Sequence, residues 1–265
     1  MTVVEPLDQH QLTEVLRVIG AESVELKLSV PDSDRRSAVA ALGLDPRDAE
    51  IRQVVFFDTP DLEVSDRGVA VRVRSVQSRP ADSVVTLRPI DPEHLPAELR
   101  KSRGFGVEVA AMPGGFVCSA AMEAELDPLT VKEILAGRWP VRKLFTREQS
   151  ALIKAYAPDG ISLESLERLG PINVLRLKFA PRAAGRRLVA ELWNYPNGSR
   201  LLELSTKGPP ADAFAVAAET QAFLAARGID LSRVQWAKTK TAMQIFAAEL
   251  QAQAAAARRV TRVSS

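Results

Sequence analysis

The sequence predicts one α+β domain built around a large antiparallel sheet or barrel. Three observations predict it. Segments in which apolar and polar residues alternate recur along most of the 265 residues. Segments with helical spacing are inserted between them and lie at both ends. No fixed-period repeat and no interdomain linker interrupts this order, so a single core is expected.

Each element has its own signal. Leu12, Val15, Leu16 and Ile19 lie on a helical stripe that Gly20 stops. Val24 to Val30 alternates as a strand; Asp32 and Ser33 can cap a helix that runs to Leu42 and ends at Gly43. Strands are expected at 53–57, 69–77, 83–88 and 105–110. The stretch 89–103, with Pro89, Pro92, Pro96 and Arg100-Lys-Ser-Arg103, is expected as a mobile basic loop. Asp127-Pro128 opens and Gly137 closes a short helix. Further strands are expected at 142–156, 172–180, 187–195 and 200–206, the last two joined by an Asn197-Gly198 hairpin. Pro209-Pro210 and Asp212 introduce a helix that stops at Gly228, and an Ala- and Gln-rich helix begins near 239. Its Met243, Ile245, Phe246 and Leu250 form a stripe that should dock on the barrel, with partner binding or a dimer contact as the alternatives.

Composition narrows the chemistry. Thirty-five Lys and Arg against 33 Asp and Glu leave a net charge of +2, too weak for a general nucleic-acid binder. One cysteine, Cys118, excludes a disulfide framework and a multi-cysteine zinc site. Two histidines, His10 and His94, leave little for a His-rich metal site or a triad. No apolar run approaches the ~20 residues of a membrane span, and the first ten residues do not read as a signal peptide, so a cytoplasmic location is expected. There is no G-x-x-x-x-G-K-[ST], and Gly104-Phe-Gly106 lacks a third glycine, so neither phosphate-loop motif is present. Cys118 reads as a packed small hydrophobe, Trp236 as a core anchor and His94 as a solvated loop residue.

The informative feature is where charges sit inside the strands. Side chains alternate faces, so Val24-Glu25-Leu26-Lys27-Leu28 puts Glu25 and Lys27 opposite three aliphatics. The same holds for Arg72 and Arg74, Thr86 and Arg88, Glu108, Arg176 and Lys178, Glu191, and Glu203, Ser205 and Lys207. A wet outer face would explain any one strand. Across many strands, with Arg, Lys and Glu at strand centres, an enclosed charged lumen is the better reading. Seven cations (Lys27, Arg72, Arg74, Arg88, Arg176, Lys178, Lys207) face four acids (Glu25, Glu108, Glu191, Glu203). An excess of enclosed positive charge is costly unless water, counter-ions or a polyanion compensate it. A triphosphate with divalent cations matches that charge.

Several segments resemble one family. Phe56-Phe57-Asp58-Thr59-Pro60-Asp61-Leu62, followed by Gly68-Val-Ala-Val-Arg72-Val-Arg74, resembles a stretch of the CYTH family, the triphosphate tunnel metalloenzymes. Ser23-Val-Glu25-Leu-Lys27 resembles the family's E-x-E-x-K with its first Glu replaced by Ser. Thr86-Leu-Arg88 resembles its T-x-K/R strand, and Leu202-Glu203-Leu-Ser205-Thr-Lys207 its late E-x-E strand, again with Ser for one acid. Lys238-Thr-Lys240 resembles the closing S-K motif.

The resemblance implies an eight-stranded antiparallel barrel over 23–246, preceded by a helical extension (1–22) and followed by a helix end and polar tail (247–265). It implies triphosphate-gripping roles for Lys27, Arg72, Arg74, Arg88, Arg147, Arg176, Lys178, Lys207, Lys238 and Lys240, since guanidinium forks bind phosphate bidentately. Glu25, Glu191, Glu203 and Glu108 would hold Mg²⁺ or Mn²⁺, with Glu25, Glu203 and Lys27 catalytic. Ser23 and Ser205 weaken such a metal site. Three functions stay open: metal-dependent hydrolysis of inorganic or nucleoside triphosphate, triphosphate or polyphosphate binding with little turnover, and a class IV-type adenylate cyclase.

Overall fold

The computed structural model describes residues 23–91, 95–112, 115–230 and 238–263. The helix read over Leu7–Ile19, and the positions His10, His94 and Trp236, lie outside them. Among the described residues nine strands close into one barrel: β1 (Val24–Val30), β2 (Glu50–Asp58), β3 (Val69–Val76), β4 (Ala81–Leu87), β5 (Phe105–Met112), β6 (Gly115–Leu126), β7 (Glu167–Phe179), β8 (Leu188–Asn194) and β9 (Arg200–Gly208). Their order around the ring is β1-β5-β6-β4-β3-β2-β7-β8-β9, with β9 closing on β1.

The expectation of eight antiparallel strands is therefore corrected to nine in a mixed barrel. The reason is topological. Direction cannot alternate all the way round a closed ring with an odd number of strands, so one seam must be parallel. That seam is β1 against β5, with Val24 opposite Val109 and Leu26 opposite Ala111. The strand that sequence reading missed is β6, whose Ser119-Ala-Ala121 centre offers none of the β-branched residues that mark strands.

A second correction concerns 142–156. It is a 3-10 turn over Val141–Leu144 followed by a helix over Arg147–Tyr156. Thr146 caps this helix: its hydroxyl accepts from the Gln149 amide N–H, and the Gln149 side chain accepts from the Thr146 N–H. Gln149, Leu152 and Ile153 are its buried residues, a spacing of helical rather than strand period.

The described helices are α1 (Asp32–Ala41), α2 (Glu63–Asp66), α3 (Ala97–Arg100), α4 (Pro128–Leu135), α5 (Arg147–Tyr156), α6 (Ala213–Ala225) and α7 (Lys238–Val263). They show which face of the sheet is outside. Ala38 of α1 and Phe223 and Leu224 of α6 pack on Val24, Leu26, Leu28, Val30, Leu202 and Leu204. Val131 and Ile134 of α4 and Leu152 and Ile153 of α5 pack on Val71, Val73, Val85, Leu87 and Met122. Each such aliphatic, once buried, contributes roughly 1.5–3 kcal/mol. The alternate residues of these strands consequently face inward. No described helix is long and apolar enough to cross a membrane.

The Phe56-to-Leu62 motif serves the fold. Phe57 points outward and meets Phe145 edge to face at 5.9 Å. The buried Asp58 carboxylate accepts backbone N–H bonds from Thr59 (2.7 Å), Val64 (3.0 Å) and Ser65 (3.0 Å), tying the end of β2 to α2. Burial pushes the Asp58 carboxyl up, and these three bonds only partly offset it.

Candidate functional site: the charged lumen

The register carries the charged side chains to one face. Glu25 opposes Lys207 and Lys27 opposes Ser205 across β1–β9. Glu203 opposes Glu191 across β8–β9, and Arg176 opposes both Glu191 and Glu50 across β7. Arg74 opposes Asp82, and Arg72 opposes Val84, across β3–β4. All of these side chains lie on the face opposite the helix-covered aliphatics. Convergence on a lumen, the central expectation of the sequence, is thus what the strand pairing gives.

The lumen also holds residues that sequence reading did not single out. Arg52 lies two positions from Glu50 on β2, and its guanidinium bridges back to Glu50 at 2.6 Å. Asp82, Glu123 and Glu125 follow from the β4–β6 register. The alternation signal covered them, but the strand limits drawn for β2 and β4 and the missing β6 left them out. These added acids bring the lumen closer to charge balance than the excess of cations expected from sequence.

Most pairs within the lumen are closed ion pairs. Lys27 lies 3.1 Å from Glu25, and burial, which would raise the Glu25 carboxyl, is overridden by this ammonium, so it titrates below its usual value. Arg74 holds Asp82 bidentately at 2.6–3.1 Å; although burial disfavours its charge, the carboxylate raises its pKa. Lys207 reaches Glu108 at 3.5 Å near a mouth, where both are exposed.

Arg72 differs. It stands beside Arg74, burial and that neighbouring cation press its pKa down, and its Nε has no hydrogen-bond partner among the described residues. The buried hydroxyl of Thr86, on the adjacent strand and the same face, is likewise without one. Arg88 is exposed overall and is attracted by Glu203, Glu108 and Glu25, yet partial desolvation lowers its pKa against their attraction. Lys178 shares the face of Arg176 but is exposed.

Two expected phosphate ligands are placed elsewhere. Arg147 is exposed in the first turn of α5, which covers the outside of the barrel, so it is not a lumen residue. Lys240 is exposed on α7.

Helix α7 docks on the inner face of the barrel. Ala242, Met243 and Phe246 pack against Val54, Phe56, Leu169, Ile172, Val174, Trp193 and Leu201. Val54 and Phe56 share the face of Arg74 and Arg72 by register, so α7 fills one side of the lumen. The helix leaves past the end of β2, where the Gln251 side-chain amide donates to the Pro60 carbonyl and the Asp61 carboxylate. Its first residue, Lys238, is thereby delivered to the centre. The ammonium donates to Glu191 at 2.6 Å and Glu203 at 2.5 Å and lies 5.2 Å from the Trp193 ring centre. Burial would raise the Glu191 carboxyl, but Lys238 dominates and brings it down to about 2. Lys238 itself is held above its usual value: burial disfavours its charge, and the two carboxylates outweigh that.

The carboxylates expected to hold a divalent cation do not form its coordination sphere. Mg²⁺ and Mn²⁺ require several hard oxygen ligands around one point. Among the described residues no group of three His, Cys, Asp or Glu converges in that way. Glu191 and Glu203 meet on an ammonium, Glu25 is engaged by Lys27, and Glu108 stands apart with Lys207. Serines occupy positions 23 and 205. The arrangement present does not fit a divalent ion.

No family model and no curated protein matches the chain. Solved structures do. A candidate adenylate cyclase from Bacillus halodurans is 14% identical with a TM-score of 0.55, covering 83% of this chain and 96% of its own. HpAC1 from Hippeastrum, a candidate adenylyl cyclase described as having a dominant triphosphatase activity, is 18% identical with a TM-score of 0.57, covering 81% of this chain and 92% of its own. At such identities the likeness speaks for architecture alone: the chain shares the overall fold of these two structures.

Proposed function

We propose that the lumen binds an oligophosphate, with the triphosphate group as its shortest natural occupant. The observation that carries this reading is the pair of unsatisfied donors on the inner face, Arg72 Nε and Thr86 Oγ1. A buried guanidinium whose Nε–H donates to nothing is costly, even with Glu123 and Asp82 attracting its charge from a distance. Phosphate oxygens would satisfy both groups at once, and Arg74, Arg88, Lys27 and Lys207 can contact further phosphates along the tunnel. Each would exchange part of a carboxylate contact for a phosphate contact, so binding is an exchange of ion pairs rather than a new charge burial.

Turnover is the second reading, favoured by the triphosphatase activity described for HpAC1. In that reading Lys27 and the arginines stabilise charge on the transferred phosphoryl group, and Glu25 or Glu203 orients water. Binding is preferred because the carboxylates are closed on lysines. The test is calorimetric titration with tripolyphosphate, orthophosphate and ATP, combined with phosphate release in the presence of Mg²⁺ or Mn²⁺. Binding of tripolyphosphate well above orthophosphate, lost in Arg74→Ala, is expected. Rapid metal-stimulated release abolished in Glu203→Gln would replace binding by hydrolysis, and formation of a cyclic nucleotide from ATP would replace both by cyclisation.

A further inference from the structure

We propose that Lys238 is a built-in cation that takes the place of a divalent ion between Glu191 and Glu203, so that this barrel captures oligophosphate without metal. The inference deepens the reading of the lumen as an oligophosphate site and rests on it.

Two carboxylates from adjacent strands face each other across the β8–β9 register. Side by side they repel, and a cation must join them. Lys238 Nζ sits between them, 2.6 Å from one and 2.5 Å from the other. Arg176 approaches the second oxygen of Glu191 at 3.4 Å. Two acids and two cations thus close a neutral group, and no charge is left there for a metal to neutralise.

The ammonium is also anchored. The Tyr195 hydroxyl donates to the Lys238 carbonyl at 3.2 Å, and one turn later Ala242 and Met243 are buried against the barrel's inner wall. A cation fixed to the chain in this way competes at an effective concentration set by its tether, whatever the level of free metal. Ser205, next to Glu203 but one on β9 and itself buried, supplies a neutral oxygen where a third carboxylate would have favoured a dication.

The tests use the full chain. Tripolyphosphate is titrated in EDTA and again in excess Mg²⁺, and Mn²⁺ alone is titrated into the wild type and Lys238→Ala, followed by electron paramagnetic resonance. The inference expects the wild type to bind tripolyphosphate in EDTA and to gain no affinity when Mg²⁺, which itself complexes tripolyphosphate, is in excess. It also expects Lys238→Ala to bind Mn²⁺ at least tenfold more tightly than the wild type. Tripolyphosphate binding that requires Mg²⁺ overturns the inference and leaves the oligophosphate site standing. Absence of tripolyphosphate binding under both conditions overturns the site, and the Mn²⁺ titration then decides Lys238 by itself: a gained Mn²⁺ signal upholds it and none overturns it. If Lys238→Ala does not fold, Lys238→Arg, which keeps the charge, should fold and still exclude Mn²⁺; tight Mn²⁺ binding by the wild type or by Lys238→Arg refutes the inference.

Discussion

Replacing Arg72 by Met should make the empty protein more stable and a poorer ligand-binding protein. The side chain stays long enough to fill its place, while the charge and the unsatisfied donor are removed. An orphaned buried donor costs about 1–3 kcal/mol. Against this the variant loses the attraction of Glu123 and Asp82, which partly offset the burial of the Arg72 charge. The net gain is therefore set at about 1 kcal/mol, which for a chain of this size raises the melting temperature by about 2–4 °C. The melt must be recorded without phosphate or sulfate, since an anion in the lumen would stabilise the wild type selectively. Charge-assisted hydrogen bonds contribute about 1.5–3 kcal/mol, so the same variant should bind tripolyphosphate roughly 10- to 150-fold more weakly. The two changes in opposite directions mark a residue held in strain for a ligand. A variant that melts lower and binds as well as the wild type would show Arg72 to be structural and refute the reasoning.

Three further outcomes follow from particular contacts. Arg147→Ala should leave tripolyphosphate affinity unchanged by calorimetry, because α5 lies outside the barrel; a tenfold loss would put that helix at the site. Gly104 has φ +75°, and a Cβ there would clash with the Glu123 carbonyl oxygen, so Gly104→Ala should lower stability by about 1–3 kcal/mol in a urea melt. Glu191 titrates at about 2 in the fold against an ordinary 4.5. A depressed carboxyl contributes its stability in full above pH 4.5 and loses it as pH falls from 4.5 towards 2. The melting temperature of the wild type should accordingly fall more steeply between pH 5 and pH 3 than that of Glu191→Gln; equal slopes would contradict the Lys238 contact.

What the sequence by itself determined is which residues share a face. Strand alternation is a property of consecutive residues, so the opposition of Glu25 and Lys27 to Val24, Leu26 and Leu28, and of Arg72 and Arg74 to Val71 and Val73, needed no knowledge of pairing partners. The alternation also separates the inward charges of β7 to β9 from their outward aliphatics. Only tertiary structure decided how many strands join and in which direction, because ring closure is a condition on all of them together. It also decided that α7 enters the lumen, and that Lys238 meets Glu191 and Glu203 across 47 and 35 residues of chain. No local pattern encodes a contact at that separation. Glu25, Glu108, Glu191 and Glu203, expected as metal ligands, each stand beside a lysine for this reason: each side chain's chemistry is fixed by its type, but its counter-ion is whichever group the closed barrel places nearest.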